Sequence, residues 1–188
     1  MGTAFDAIVL CGGGARRMGG GDKTRLVVGG ESLFETAVRA AHEAGARRTV
    51  AVGPERPASF PVLFVREDPP GGGPVAAIAE GLRHVREEIV VILAADMPLI
   101  TSREVRSLIR EMNEDGAVLV DEDGVLQPLA AAYRRDALQA AIEALETPQD
   151  QSLRRVVGRL RLTRVGAGAA ALDCDTPQDL EAARRARG

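Results

Sequence analysis

Phe5-Asp6-Ala7-Ile8-Val9-Leu10-Cys11-Gly12-Gly13-Gly14-Ala15-Arg16-Arg17-Met18-Gly19-Gly20-Gly21-Asp22-Lys23 is the stretch that sets the reading of the chain. Residues 5–10 have strand length and read as buried on both faces. From Leu10 to Lys23, six of the fourteen residues are glycine and three are cationic. A buried strand that empties into a glycine loop carrying cations is a device for holding phosphate. Glycine lets backbone N–H groups approach an anion, and cations neutralise its charge. The order is not that of a Walker loop, because the lysine follows Asp22 rather than glycine. Nor do Gly12, Gly13 and Gly14 form a dinucleotide fingerprint. Arg17 and Lys23 are the candidate phosphate contacts, the first as a fork to two oxygens and the second as a point charge.

Working outward, strand-like and helix-like segments alternate. Glu31–Ala44 has helical spacing, with Leu33, Ala37, Ala40, Ala41 and Ala44 on one face and Gly45 as its stop. Strands are expected at Thr49–Val52, at Val62–Val65 and most clearly at Ile89–Ala95. Between the last two lie a second glycine loop, Arg66 to Pro74, and a helix over Val75–Val85. A helix capped by Thr101 or Ser102 runs to about Asn113, with Glu104 in its first turn. Such alternation predicts an α/β three-layer sandwich around a mostly parallel, Rossmann-like twisted sheet. The last third departs from it. Ala117–Val120 and Leu126–Tyr133 flank Asp121-Glu122-Asp123-Gly124, a hairpin signal. Helices follow at about 136–146 and 150–159, strands near 161–165 and 170–172, and a final helix from about 177.

The chain has 188 residues, is 45% hydrophobic and only 3% aromatic, with no Trp and one Tyr. One domain with a core of Ala, Val, Leu and Ile is expected, which suits helices packed on a parallel sheet. The net charge of −3 and the lack of stacking platforms argue against nucleic acid as a partner. A small anionic ligand fits the local cations better. No apolar stretch approaches the ~20 residues of a membrane span, and the first residues carry no signal-peptide pattern. Cys11 and Cys174 match no zinc or redox spacing, so a cytoplasmic location with reduced thiols is expected.

In open α/β sheets, ligands sit at the carboxyl ends of strands. Three candidate sites fall there. The first is the glycine loop. The second is Asp96, which ends a strand free of other charges from Ile89 to Pro98. It is either a turn-forming residue before Pro98 or a ligand for Mg²⁺, which takes one or two carboxylates plus phosphate oxygens. The third is Asp68 before Gly71-Gly72-Gly73-Pro74, either a turn residue or an acceptor for ribose or base. Asp173-Cys174-Asp175-Thr176-Pro177 precedes the last helix. Thr176 and Pro177 make a helix start, and the two aspartates exceed what a cap needs. Gln127 opens a hairpin strand or binds a substrate. His42 and His84, with no obvious partner, are assigned no role. The cysteines read as inert small residues, and Arg184, Arg185 and Arg187 as a solvated tail.

The segment from Leu10 to Gly19, followed by Asp22-Lys23, resembles the signature of sugar-nucleotide-type nucleotidyltransferases. Within these it is most similar to the molybdenum cofactor guanylyltransferase family, whose loop reads Leu-Ala-Gly-Gly-x-Ser/Ala-x-Arg-Met-Gly-x-x-Asp-Lys. The similarity continues at Asp68, Gly73-Pro74, Ala95-Asp96-Met97-Pro98, Gln127-Pro128-Leu129 and Asp175-Thr176-Pro177-Gln178-Asp179-Leu180. Two departures stand out: Cys11 replaces Ala, and Asp173 and Asp175 stand where two Asn are usual. The resemblance implies a sheet of the nucleotide-diphospho-sugar transferase type, with a nucleotide half of about residues 1–100 and an acceptor half of about 101–188. It implies transfer of GMP from GTP to molybdopterin-bound molybdenum, releasing pyrophosphate. Arg17, Lys23 and the amides of Gly12, Gly13 and Gly14 would hold the triphosphate, Asp96 would hold Mg²⁺, and Leu10, Cys11, Asp68 and Gly73 would line the nucleoside. Gln127, Asp173, Asp175 and Arg154 would face the acceptor or a second metal. A monomer or weak oligomer that hands its product to cofactor-accepting enzymes is expected. The alternatives are a relative using CTP or another phosphorylated acceptor, and a nucleotide-binding module without catalysis.

Overall fold

The computed structural model describes residues 3–12, 23–171, 174 and 176–187. Strand β1 is Phe5–Leu10, and all six of its residues are buried. A two-residue pair follows, β2 (Val27–Val28) and β3 (Glu31–Ser32), and then helix α1 (Leu33–Ala44). The chain continues through β4 (Thr49–Val52), β5 (Leu63–Val65), α2 (Gly73–Leu82), β6 (Ile89–Ala94) and α3 (Ser102–Glu111). The last third holds β7 (Gly116–Val120), β8 (Leu126–Arg134), α4 (Arg135–Glu143), α5 (Leu153–Val157), β9 (Leu162–Gly166) and α6 (Pro177–Arg187).

Strand order in the main sheet is β5-β4-β1-β6-β8. All its neighbours pair in parallel except β6 and β8. β7 and β9 form a parallel pair against the free side of β8, where the Arg134 N–H donates to the Asp115 carbonyl (2.9 Å). The sheet thereby continues to seven strands. Successive residues of β1 face opposite layers, as a strand must. Ala7 and Val9 join Phe34 and Val38 of α1 and Val105 and Leu108 of α3. Ile8 and Leu10 join Ile78 of α2, Leu138 of α4 and Val156 of α5. The expected three-layer sandwich is therefore present, with Ala, Val, Leu and Ile forming most of its core. Among the described residues no helix is long and apolar enough to cross a membrane.

Local chemistry explains the helix ends. Ser32 caps α1 by accepting the Glu35 N–H (3.2 Å), so the helix starts two residues later than its periodicity suggests. Gly45 ends it in the left-handed region at φ 103°. Thr101 and Glu104 form a reciprocal capping box at the start of α3. Among the described residues, the strand expected near 170–172 is absent. Residues Gly168–Ala171 make a 3-10 turn instead, closed by the Ala170 N–H on the Ala167 carbonyl (3.1 Å). That stretch carries no β-branched side chain to favour a strand.

The expected arginine tail is also corrected. α6 folds back on β2 and β3, packing Leu180, Ala183 and Cys174 against Val28 and Leu33. Arg187 donates to the Val28 carbonyl (3.3 Å) and to Thr36 Oγ1 (3.2 Å), and lies 3.6 Å from Glu31 with its side chain only 18% exposed. Arg184 reaches the Val27 carbonyl (3.4 Å). Arg184 and Arg185 both remain exposed, so the departure from a solvated tail lies at Arg187.

Candidate active site

The parallel register puts four strand ends on one line. Leu10 pairs with Val52 on one side and with Ala94 on the other, and Val52 pairs with Val65. Loops leaving β1, β4, β5 and β6 therefore emerge at one edge of the sheet. Backbone hydrogen bonds carry the pairing past the strands. The Cys11 and Gly12 N–H groups both donate to the Val52 carbonyl (3.0 and 3.2 Å). The Gly53 N–H donates to Val65 (2.9 Å), and the Ala95 N–H to Leu10 (3.0 Å). Gly53 lies at φ +143°, and a Cβ on it would stand 2.6 Å from the Gly12 nitrogen. The end of β4 thus meets the start of the first loop backbone to backbone, which only glycine allows.

Asp96 lies two residues beyond β6 and is half-buried. Its carbonyl accepts the Cys174 N–H (3.0 Å), so the start of the C-terminal motif lies beside it. Arg17, Gly13, Gly14, Asp173 and Asp175 fall outside the described residues. Lys23 opens the short 3-10 turn Lys23–Arg25 that leads to β2. Asp68 is exposed, three residues past β5. Gly73 begins α2 at φ +85° with open space around it, and Pro74 occupies the first turn. The neighbouring Gly72 carbonyl accepts the Asp150 N–H (2.8 Å), which ties the second glycine loop to the last third of the chain.

β8 runs the other way, so its first residues lie at this same edge. Its last pair with β6 is Leu93 with Ala130. Gln127 and Asp96 each lie three residues beyond that pair. The Gln127 amide donates to Asp121 Oδ2 (3.1 Å). Asp121 also accepts the N–H groups of Asp123 (3.0 Å) and Val125 (2.8 Å). Gln127 is therefore a hairpin residue and a wall residue at once. An open groove of about 540 Å³ runs past it, between Pro74 at the start of α2 and Ser152 and Arg154 on the far side. Arg154 is the one cation among the described residues lining this groove.

Two neighbours of the site carry no signal in the sequence pattern. Arg56, in the loop after β4, donates through Nη2 to the Cys11 carbonyl (2.9 Å). Tyr133, fully buried in β8, donates to the Pro128 carbonyl (2.8 Å) beside Gln127. Burial pushes its phenol well above the ordinary value. Both histidines have partners after all. His42 stacks on Phe60 at 4.2 Å and His84 contacts Glu80 at 2.9 Å. The Arg48 guanidinium, just before β4, holds the His84 carbonyl (3.1 Å), so His84 lies at the opposite edge of the sheet. Both cysteines are buried, and Cys11 Sγ lies 3.4 Å from the Val52 carbonyl.

Among the described residues no three His, Cys, Asp or Glu side chains cluster as a metal cage. The Asp96 carboxylate at a strand end fits the donor set of Mg²⁺ better than that of zinc or calcium. Mg²⁺ keeps several waters and takes one or two carboxylates with substrate phosphates.

Comparison with known proteins gives a consistent picture. Residues 7–165 match the family model described as the MobA-like NTP transferase domain. A protein of Opitutus terrae named probable molybdenum cofactor guanylyltransferase is 35% identical over 164 residues, covering 84% of this chain and 80% of its own. Among solved structures, a nucleotidyl transferase from Methanothermobacter superposes with a TM-score of 0.78 at 17% identity, over 99% of this chain and 98% of the other. Molybdopterin-guanine dinucleotide biosynthesis protein A from Archaeoglobus fulgidus gives 0.70 at 22% identity, over 96% and 97%.

Proposed function

The chain belongs to the MobA-like NTP transferase family, and from that premise we propose that it transfers GMP from GTP to a molybdopterin-type cofactor with release of pyrophosphate. What supports the reading most is the junction of β1 and β6. There the Ala95 N–H on the Leu10 carbonyl (3.0 Å) sets the foot of the glycine loop beside Asp96.

In this reading the terminal phosphate of the pterin attacks the α-phosphate of GTP in line. A new P–O bond forms as the bond to pyrophosphate breaks. Two anions must meet, so positioning and charge neutralisation carry the catalysis. An ionised phosphate needs no general base, which agrees with histidines that lie outside the site. The Gly12 N–H is already engaged by Val52, so the amides offered to phosphate are those of Gly13 and Gly14. Arg17 and Lys23 neutralise the triphosphate, and Asp68 and Gly73 line the nucleoside. Gln127, Arg154, Asp173 and Asp175 face the acceptor, with Arg154 as the cation for its phosphate. Asp96 would hold Mg²⁺, which would supply charge neutralisation as pyrophosphate departs.

The test is a nucleotide panel read by thermal denaturation, with and without Mg²⁺. GTP at 100 times its Kd should add about 2.7 kcal/mol of stability, and CTP or ATP much less. Stabilisation by CTP alone would replace the guanylyl reading with a cytidylyl one. Asp96→Asn should keep the fold and lower pyrophosphate release by about 10²-fold or more, because several kcal/mol of charge stabilisation are lost. Near-normal turnover in that variant would remove Asp96 from the site.

A further inference from the structure

Arg56 sits in Gly53-Pro54-Glu55-Arg56-Pro57, a loop with no recognisable chemistry of its own. Its guanidinium turns back across the end of β1. Nη2 donates to the Cys11 carbonyl (2.9 Å), Nε donates to the Pro54 carbonyl (3.2 Å), and the group lies over the Phe34 ring, 5.3 Å from its centroid. The Gly12 N–H, on the other side of the Cys11–Gly12 peptide, donates to the Val52 carbonyl (3.2 Å). That peptide is thus held at both ends. It is the peptide by which β1 hands over to the glycine-rich stretch that follows it in sequence.

We propose that Arg56 is a positioning residue for nucleotide binding. By holding the Cys11 carbonyl, it fixes the direction in which the glycine loop leaves β1, and so sets how tightly the loop takes a triphosphate. The proposal rests on the nucleotidyl-transfer reading above. Its physical content is preorganisation: a loop aimed before the ligand arrives loses less conformational entropy on binding. A guanidinium suits the task because two of its donors reach two carbonyls while its flat face rests on an aromatic ring. Lysine has no such fork, and glutamine has one donor group and no charge.

The experiment measures GTP binding directly, by calorimetry in the presence of Mg²⁺, for the wild type, Arg56→Lys, Arg56→Gln and Arg56→Ala. Thermal denaturation of each is followed in parallel. Affinity should fall in that order, with Arg56→Ala weaker by about tenfold to a hundredfold, the worth of one hydrogen bond to a charged group. In steady-state assays KM for GTP should rise and KM for the acceptor should stay unchanged. A purely structural role would lower the melting temperature and leave the affinity of the folded protein intact, and that result overturns the proposal. If Arg56→Ala does not fold, Arg56→Gln decides, and GTP binding within twofold of the wild type overturns it. A wild-type protein that binds no nucleotide fails the functional reading itself, which is a different outcome from a wild type and variants that bind alike.

Discussion

Lys23 is the one lysine in a chain whose other basic side chains, apart from two histidines, are all arginine. Arginine suits fixed forks, as at Arg56 and Arg187, whereas lysine is a compact point charge that can follow a phosphate as its geometry changes. The same singularity provides a probe. Pyridoxal phosphate with borohydride should label Lys23 and the α-amine, and GTP with Mg²⁺ should protect Lys23 alone, as read by peptide mass spectrometry. Equal labelling with and without GTP would separate Lys23 from the nucleotide. Lys23→Ala should lower turnover by about 10²- to 10³-fold, the usual loss when one charge-stabilising donor is removed. Cys11, which stands where the family has Ala, is explained within the core. It is 2% exposed, with Sγ 3.4 Å from the Val52 carbonyl.

Strand β8 shows how an element is shaped for a site. Tyr133 and Pro128 are five residues apart, roughly 17 Å along an extended strand, yet the phenol reaches the Pro128 carbonyl at 2.8 Å. The strand must bend between them. Pairing with β6 ends at Ala130, before Pro128, which has no N–H to offer a ladder. Tyr133→Phe keeps the packing and frees the bend, so KM for the acceptor should rise by about three- to tenfold while GTP binding is unchanged. Both follow from kinetics with each substrate varied in turn. Burial raises the Tyr133 pKa from its ordinary 10.0. Its stabilising contribution is therefore complete below pH 10 and is lost as pH rises above that, and Tyr133→Phe should lack this alkaline loss. The long buried strands β1, β4, β6 and β8 were legible in the sequence because apolar runs between turn residues have few other fates. β2 and β3 were not, because two residues carry no periodicity, and only the positive φ of Gly29 and Gly30 (60° and 83°) reveals their tight turn. Asp96 could be found from its place after an apolar strand. Arg56 could not, since its partner is a backbone carbonyl 45 residues away, and a carbonyl leaves no trace in residue identity.

At the scale of the molecule, the parallel sheet aligns the strand ends and α6 joins what the sheet does not. The helix follows Cys174, whose N–H holds the Asp96 carbonyl, and it ends with Arg187 on Val28, Thr36 and Glu31. It therefore spans from the metal-ligand candidate to the strands that lead away from Lys23. Arg187→Ala should lower the unfolding free energy by about 1–2 kcal/mol, seen as a lower urea midpoint at unchanged slope. Arg185→Ala, at an exposed position, should stay within about 0.5 kcal/mol. The contact between Val28 and Arg187 joins residues 159 apart, which has a consequence for the order of events in the cell. At the ribosome's pace of about 5–20 residues per second, a growing chain holds β2 and β3 for roughly 8–30 s before Arg187 is made. During that interval β1, β4 and β6 can already pair, while the strands beyond Lys23 still lack Leu180, Ala183 and Arg187. The strands that lead away from Lys23 are thus packed last, by a helix made after the residues of β1, β4 and β6.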